Sequence, residues 1–217
     1  MADLPHRPIA LETRDAQGAM LFSPSTARNK GPVAETLSPL LKHGARVLEL
    51  GSGTGEHAEH LCSLRPDLRW TPSDPDAASR ASCAARAAAS GGAMLAPLAI
   101  DLTLPGWWED APACDAVFSA NMIHISPWDA AVGLAQGAAR LLAAGGLLIL
   151  YGPFLEGADS APSNLDFSAS LKARDPRWGV RERADVEALF AASGFATFAR
   201  IAMPANNQML AFQRAES

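Results

Sequence analysis

Residues able to do chemistry stand in this chain wherever a short apolar run ends. Val47-Leu48-Glu49-Leu50 runs into a turn in which Gly51, Gly53 and Gly55 alternate, with Glu56 and His57 behind them. Alternating glycines let a backbone turn tightly and lie flat against a ligand. The dinucleotide fingerprint G-x-G-x-x-G, counted from Gly51, needs glycine at position 56, where Glu56 stands. Counted from Gly53, only the looser form ending in alanine fits, at Ala58. A pyrophosphate here would be repelled by Glu49 and Glu56; a cationic, phosphate-free nucleoside would not. Asp74 follows 19 positions after Gly55, the place for an acid that grips ribose hydroxyls. Asp101, with Leu102 beside it, ends a third run and suits an adenine amino group. Together with Ser52 and His57, these residues form the expected cofactor set.

Two further runs end in groups suited to catalysis. Asn121-Met122-Ile123-His124 follows the fourth run and Tyr151 closes the fifth. A histidine suits proton removal near neutrality, so His124 is a candidate base or orienter of an acceptor. Its alternative is a structural histidine that bonds its own loop. Asn121 can bind an acceptor or the cofactor, or cap a helix start. Tyr151, the only tyrosine, offers a hydroxyl to the same pocket or packs as an aromatic at the strand end.

The elements that must carry these residues alternate. Strands are expected at Arg46–Leu50, Arg69–Asp74, Ala96–Asp101, Asp115–Ala120 and Leu147–Tyr151. Helices are expected from about Pro32 to Lys42, and at Glu56–Leu64 and Ala77–Ser90. Another opens at Ser126-Pro127-Trp128-Asp129, with Ser126 as its cap. The chain closes with a helix at Ala184–Ser193 and two strands, Phe195–Met203 and Gln208–Arg214. The alternation predicts an α/β fold: one Rossmann-like domain over residues 1–217, with a mostly parallel seven-stranded sheet whose last strand is antiparallel. Such sheets bind ligands beyond the carboxyl ends of their strands. Residues 1–31 read as an N-terminal arm. Residues 152–181, broken by prolines and glycines, read as an unstructured lid over the active site.

Composition narrows the function. Hydrophobic residues make up 48% of the chain, as in a globular protein. A net charge of −5 argues against a nucleic-acid partner. Lys172, Arg174, Arg177, Arg181 and Arg183 cluster, but Asp175 and Glu182 interrupt them. Cys62, Cys83 and Cys114 lack metal or disulfide spacing, and His57 and His60 find no third ligand, so no metal is expected. No run reaches the length of a membrane span and no leader is evident, so a soluble cytoplasmic protein, monomer or homodimer, is expected.

The E-x-G-x-G-x-G turn resembles the first motif of class I S-adenosylmethionine (SAM) dependent methyltransferases. More specific are Asn121-Met122-Ile123-His124-Ile125-Ser126-Pro127-Trp128, Tyr151-Gly152-Pro153-Phe154, Ala161-Pro162-Ser163-Asn164, Arg174-Asp175-Pro176-Arg177-Trp178-Gly179 and Met203-Pro204-Ala205-Asn206-Asn207. From about Arg28 to Arg214 the chain resembles the domain-of-unknown-function 938 family, a group of small methyltransferase-like proteins. The resemblance implies the class I methyltransferase fold, SAM as cofactor and a transferase activity, and leaves the acceptor unnamed. It also hints that Arg28 and Asn29 close over the cofactor carboxylate or the acceptor. Asn164, Arg174, Arg177 and Trp178 in the lid, with Asn206 and Asn207, are the remaining candidate acceptor-binding residues. Two positions depart from the family pattern: Glu56 where glutamine is expected, and Ser168 where aspartate is expected.

A small-molecule methyltransferase is therefore the first expectation. An enzyme acting on RNA or protein would need a basic patch, and the N-P-P-Y type of motif is replaced by Asn121-Met122-Ile123-His124. A non-catalytic SAM-binding scaffold is opposed by the intact acids Glu49, Asp74 and Asp101. A nicotinamide reductase is opposed by the imperfect fingerprint and by Leu155, four positions after Tyr151, where a lysine would stand.

Overall fold

A computed structural model describes residues 12–216. It opens with a small hairpin, β1 (Asp15–Gln17) and β2 (Met20–Phe22), paired antiparallel. Then come α1 (Pro24–Leu37), β3 (Arg46–Leu50), α2 (Glu56–Leu64), β4 (Arg69–Ser73) and α3 (Ala77–Ala89). The second half holds β5 (Ala116–Ala120), α4 (Trp128–Leu141), β6 (Leu147–Pro153), α5 (Pro162–Arg174), α6 (Arg183–Ala192), β7 (Phe195–Met203) and β8 (Asn207–Arg214).

The main sheet has the order β4-β3-β5-β6-β8-β7. Strands β4, β3, β5 and β6 are parallel; β8 lies antiparallel between β6 and β7. Successive residues of a strand face opposite sides. Leu48, Val117 and Leu148 accordingly join one core with Leu134, Phe190 and Phe212. Val47, Phe118 and Ile149 join the other with Leu37, Leu61 and Trp70. This is the expected α/β architecture with a mostly parallel sheet.

The sheet has six strands, not the expected seven. The expected third strand, Ala96–Asp101, meets β4 only at the single bridge Ser73–Leu98, with another, Trp70–Met94, just before it. The amides of Trp70 and Asp74 donate to Ala93 and Leu98 along this edge. The donor between them would be residue 72, which is proline and has no N–H. Pro97 removes another donor from the facing segment, so the ladder never closes.

Helix boundaries also differ. The first helix begins at Pro24, inside the expected arm, because Ser23 caps it by accepting the Thr26 N–H at 3.1 Å. Pro32 is accommodated within it, and Pro39 falls in a short 3-10 turn after it. Ser126 does not cap α4; its hydroxyl donates to the Met122 carbonyl at 2.9 Å. The middle of the expected unstructured lid is the 13-residue helix α5. Its buried residues are Asn164, Ser168 and Leu171, a single face at i, i+4, i+7 that is mostly polar.

Two glycines let α4 accept its neighbours. A Cβ at Gly137 would lie 2.0 Å from the Trp107 ring, and one at Gly133 would lie 1.9 Å from the Leu102 carbonyl. The Trp107 indole N–H donates to the Gly133 carbonyl at 3.0 Å. Among the described residues, no helix is long and apolar enough to cross a membrane.

Candidate functional site

One cavity of about 570 Å³ opens at the carboxyl ends of β3, β4, β5 and β6. The glycine loop forms its floor. Gly51 and Gly55 both have positive φ, and a Cβ at either would strike Met122 (2.8 Å) or Cys83 (2.9 Å). Only glycine fits such positions. The loop is tied to β4 by the Ser52 N–H to the Ser73 carbonyl (2.8 Å) and the Ser73 N–H to the Ser52 hydroxyl (3.0 Å).

Asp74 closes the adjoining wall. One carboxylate oxygen accepts the Gly53 N–H and the other accepts the Asp76 N–H, each at 2.9 Å. Burial nevertheless raises its pKa. Glu49 stands under the loop and is absent from the cavity wall. It is 1% exposed, accepts the Trp70 indole N–H at 3.0 Å, and burial pushes its pKa up to about 7.

The hairpin of β1 and β2 is fastened across this loop by residues distant in sequence. Arg86 is 1% exposed and donates to the Thr54 carbonyl at 3.0 Å and the Leu21 carbonyl at 2.7 Å. Its guanidinium also pairs with Glu59 and lies 4.7 Å over the Phe22 ring. Ser82 accepts the Leu21 N–H and donates to Thr54. Glu56, buried, accepts the Ser23 N–H at 2.8 Å and the Thr54 hydroxyl at 3.0 Å. Glu56 thus joins α1 to the glycine loop. Sequence reasoning missed Arg86, Ser82 and the wall residues Glu12, Arg14 and Ser79. The Ser23-Pro24 pair was the available signal for where the arm turns into helix.

A second group is shared between α1, α2 and β6. Asn29 meets His57 Nε2 at 2.9 Å through its Oδ1 and also bonds the Tyr151 hydroxyl. Oδ1 can only accept, so His57 carries its proton on Nε2. Burial, then His60 and Lys30, lower the His57 pKa to about 4, so the ring is neutral at pH 7.

His124 and Asn121 occupy the far wall. Asn121 has φ 58°, a left-handed conformation, and its N–H donates to the Tyr151 carbonyl at 2.7 Å. His124 is 1% exposed, and its ring meets Phe154 edge-on at 5.2 Å. Burial, then the charge of Arg181, lower its pKa to about 3. Arg181 straps this loop: its side chain donates to the Ile123 carbonyl at 3.0 Å and the Ser126 carbonyl at 2.6 Å. Gly152 lies beneath, where a Cβ would sit 2.8 Å from His124 Nε2 and 3.0 Å from Asn121 Oδ1.

The cavity brings together Gly51, Ser52, Gly53, His57, Asp74, Asn121, His124 and Tyr151 with Arg28, Asn29, Asn164, Arg174 and Asn207. It leaves out Gly55, which caps α2, and Asp101, which accepts from Thr103. Leu102 is buried against Gly133 instead. Arg177 pairs with Asp175 at 2.7 Å on the surface, and Trp178 stands beside it, off the wall. Asn206 faces a shallower hollow of about 450 Å³ that Asn164 and Asn207 also touch. Asn164 separates the two, donating to the Phe154 and Asn206 carbonyls at 3.1 and 3.0 Å. Ser168 accepts the Val180 N–H at 3.1 Å.

Solved structures share this architecture. An O-methyltransferase family protein from Burkholderia thailandensis superposes with a TM-score of 0.75 at 18% identity, over 89% of this chain and 58% of that one. Human N-acetylserotonin methyltransferase, solved in complex with SAM, gives 0.71 at 15% identity, over 88% and 53%. An O-methyltransferase family 2 protein from Planctomyces limnophilus, solved in complex with apigenin, gives 0.70 at 18%, over 88% and 59%. The chain thus spans little more than half the length of these proteins, and the likeness is one of fold. Residues 20–214 match the family model described as Protein of unknown function (DUF938), and the chain belongs to that family.

Proposed function

We propose that the protein is a SAM-dependent methyltransferase acting on a small molecule. The observation that carries this reading is the continuity of one cavity, from the glycine loop and Asp74 to Asn121, His124 and Tyr151. The nucleoside end is polar, with Asp74 and Asp76 beside Arg14; there Asp74 would take ribose hydroxyls and the glycine loop would take the methionine part. The far end lies beneath α5, whose Ser163, Asn164, Phe167 and Arg174 line it. The solved structures of similar fold support the reading, since one holds SAM and another apigenin.

SAM supplies an activated methyl group to a nucleophile placed behind it. The protein's task is then alignment and desolvation, with a base only where the acceptor holds a proton of high pKa. His124, Asn121 and Tyr151 face that position; Arg28, Asn29, Asn164, Arg174 and Asn207 surround it. Arg177, Trp178 and Asn206 lie off the wall and are assigned no acceptor contact.

The test supplies SAM with a labelled methyl group to three fractions of a cell extract: low-molecular-weight, RNA and protein. Label is expected in the first fraction alone. Transfer into RNA or protein alone would replace the small-molecule reading with a macromolecular one.

A further inference from the structure

The hydrogen bonds of His124 decide which form of its ring meets the cavity. Nδ1 accepts the backbone N–H of Arg181 at 3.4 Å. A neutral imidazole whose Nδ1 accepts carries its proton on Nε2. Nε2 is the one buried side-chain nitrogen or oxygen, among the described residues, without a hydrogen-bond partner. His124 and Asn121 both line the cavity, and the space that Gly152 leaves by lacking a Cβ lies against His124 Nε2 and Asn121 Oδ1. The ring is held neutral by burial and by Arg181. The one proton the His124 ring has to offer is therefore on Nε2, and its Nδ1 lone pair is already engaged.

No other group on this wall is a base. Asn121 does not titrate, and burial raises the Tyr151 pKa, so it remains a phenol. Among the described residues, the acids of the cavity, Glu12, Asp74 and Asp76, come from the arm and from the end of β4, with Arg14 and Arg28 lining it beside them. The ends of β5 and β6 and the helix α5 give it no acid, and α5 gives it Arg174. A wall with a fixed donor and no base suits an acceptor that is already anionic.

We propose that the acceptor is a small carboxylic acid, methylated on its carboxylate oxygen, which the Nε2–H of His124 orients. This rests on the methyltransferase reading above. An electron pair of the carboxylate oxygen forms the new bond to the methyl carbon. The bond from that carbon to sulfur breaks, and its pair stays on sulfur. The carboxylate becomes a neutral methyl ester, the sulfonium becomes a neutral thioether, and no proton moves. His124 is on this account a positioning donor that touches the acceptor.

Three readouts test it. Imidazole nitrogen NMR of the ligand-free protein should show His124 with its proton on Nε2; a proton on Nδ1 would overturn the donor role. Next, the full chain is given SAM with a labelled methyl group and two acceptor sources, the low-molecular-weight extract and a mixture of benzoate, phenylacetate and hexanoate. Treating the product with base should release the label as volatile methanol, because esters hydrolyse. Base-stable label would overturn the carboxylate while leaving methyl transfer standing, and no label from either source would overturn both. Lastly, a glutamine amide can donate from the Nε2 position but cannot serve as a base. His124→Gln should keep turnover within roughly tenfold of the parent, while His124→Ala should lose about 100-fold or more. Equal losses in the two would contradict the donor role. The NMR and base-lability results use the unaltered chain and do not depend on either variant folding.

Discussion

Replacing Asp74 by alanine is expected to weaken SAM binding by roughly 10- to 100-fold. A hydrogen bond to a charged group contributes about 1.5–3 kcal/mol, and each 1.4 kcal/mol is a factor of ten in affinity. Asp74 acts twice in the proposed site. It faces the nucleoside end of the cavity, and its carboxylate holds the Gly53 and Asp76 amides that shape that end. Calorimetric titration of the variant with SAM measures the loss directly. Asp74→Asn serves as the graded comparison, since its single carbonyl oxygen can keep one of the two amide bonds. An affinity unchanged in the alanine variant would remove Asp74 from the cofactor site.

Arg86→Met is expected to lower stability by about 2–4 kcal/mol, because it strips donors from buried carbonyls at about 1–3 kcal/mol each. The ion pair to Glu59 adds less, since Glu59 is 39% exposed and screened by solvent. For a domain of this size the loss corresponds to a fall of roughly 5–15 °C in Tm. The methionine keeps the aliphatic packing but not the cation over Phe22, so the measured loss reports the hydrogen bonds together with that contact. Arg86 joins the hairpin to the glycine loop through Leu21 and Thr54. Hydrogen exchange should therefore quicken first at residues 20–23 and 53–55. A Tm within a degree or two of the parent would show that the arm is held by other contacts.

How far the sequence disclosed this molecule depended on where each contact lies. The four parallel strands were legible because each is a short apolar run bounded by turn residues, as at Leu147–Tyr151. The terminal antiparallel pair was legible from the turn at Pro204-Ala205-Asn206-Asn207, whose Ala205 and Asn206 take positive φ. The missing seventh strand turns on Pro72 and Pro97, whose lack of N–H groups outweighed an apolar pattern. Helix α5 was hidden because its inner face is Asn164 and Ser168 as much as Leu171; a helix that helps roof a polar cavity carries little apolar periodicity.

The site divided in the same way. Residues at strand ends, such as Asp74, Asn121 and His124, were found because the fold class dictates where such ends converge. Asp101 and Leu102 were expected at the same wall and stand off it, since the strand they were to end does not form. Arg86 and Ser82 escaped notice because their partner in the hairpin, Leu21, is more than sixty positions away. Arg181 was visible only as one charge in a mixed cluster. Its role is local in space and remote in sequence, through carbonyls at Ile123 and Ser126.

The central claim, a SAM site built on the glycine loop and Asp74, is tested most directly by calorimetric titration of the ligand-free protein with SAM and, in parallel, with NADH. Saturable SAM binding at about one equivalent, with no heat of binding from NADH, is the predicted result. NADH binding, or a protein of native fold that fails to bind SAM, would contradict it.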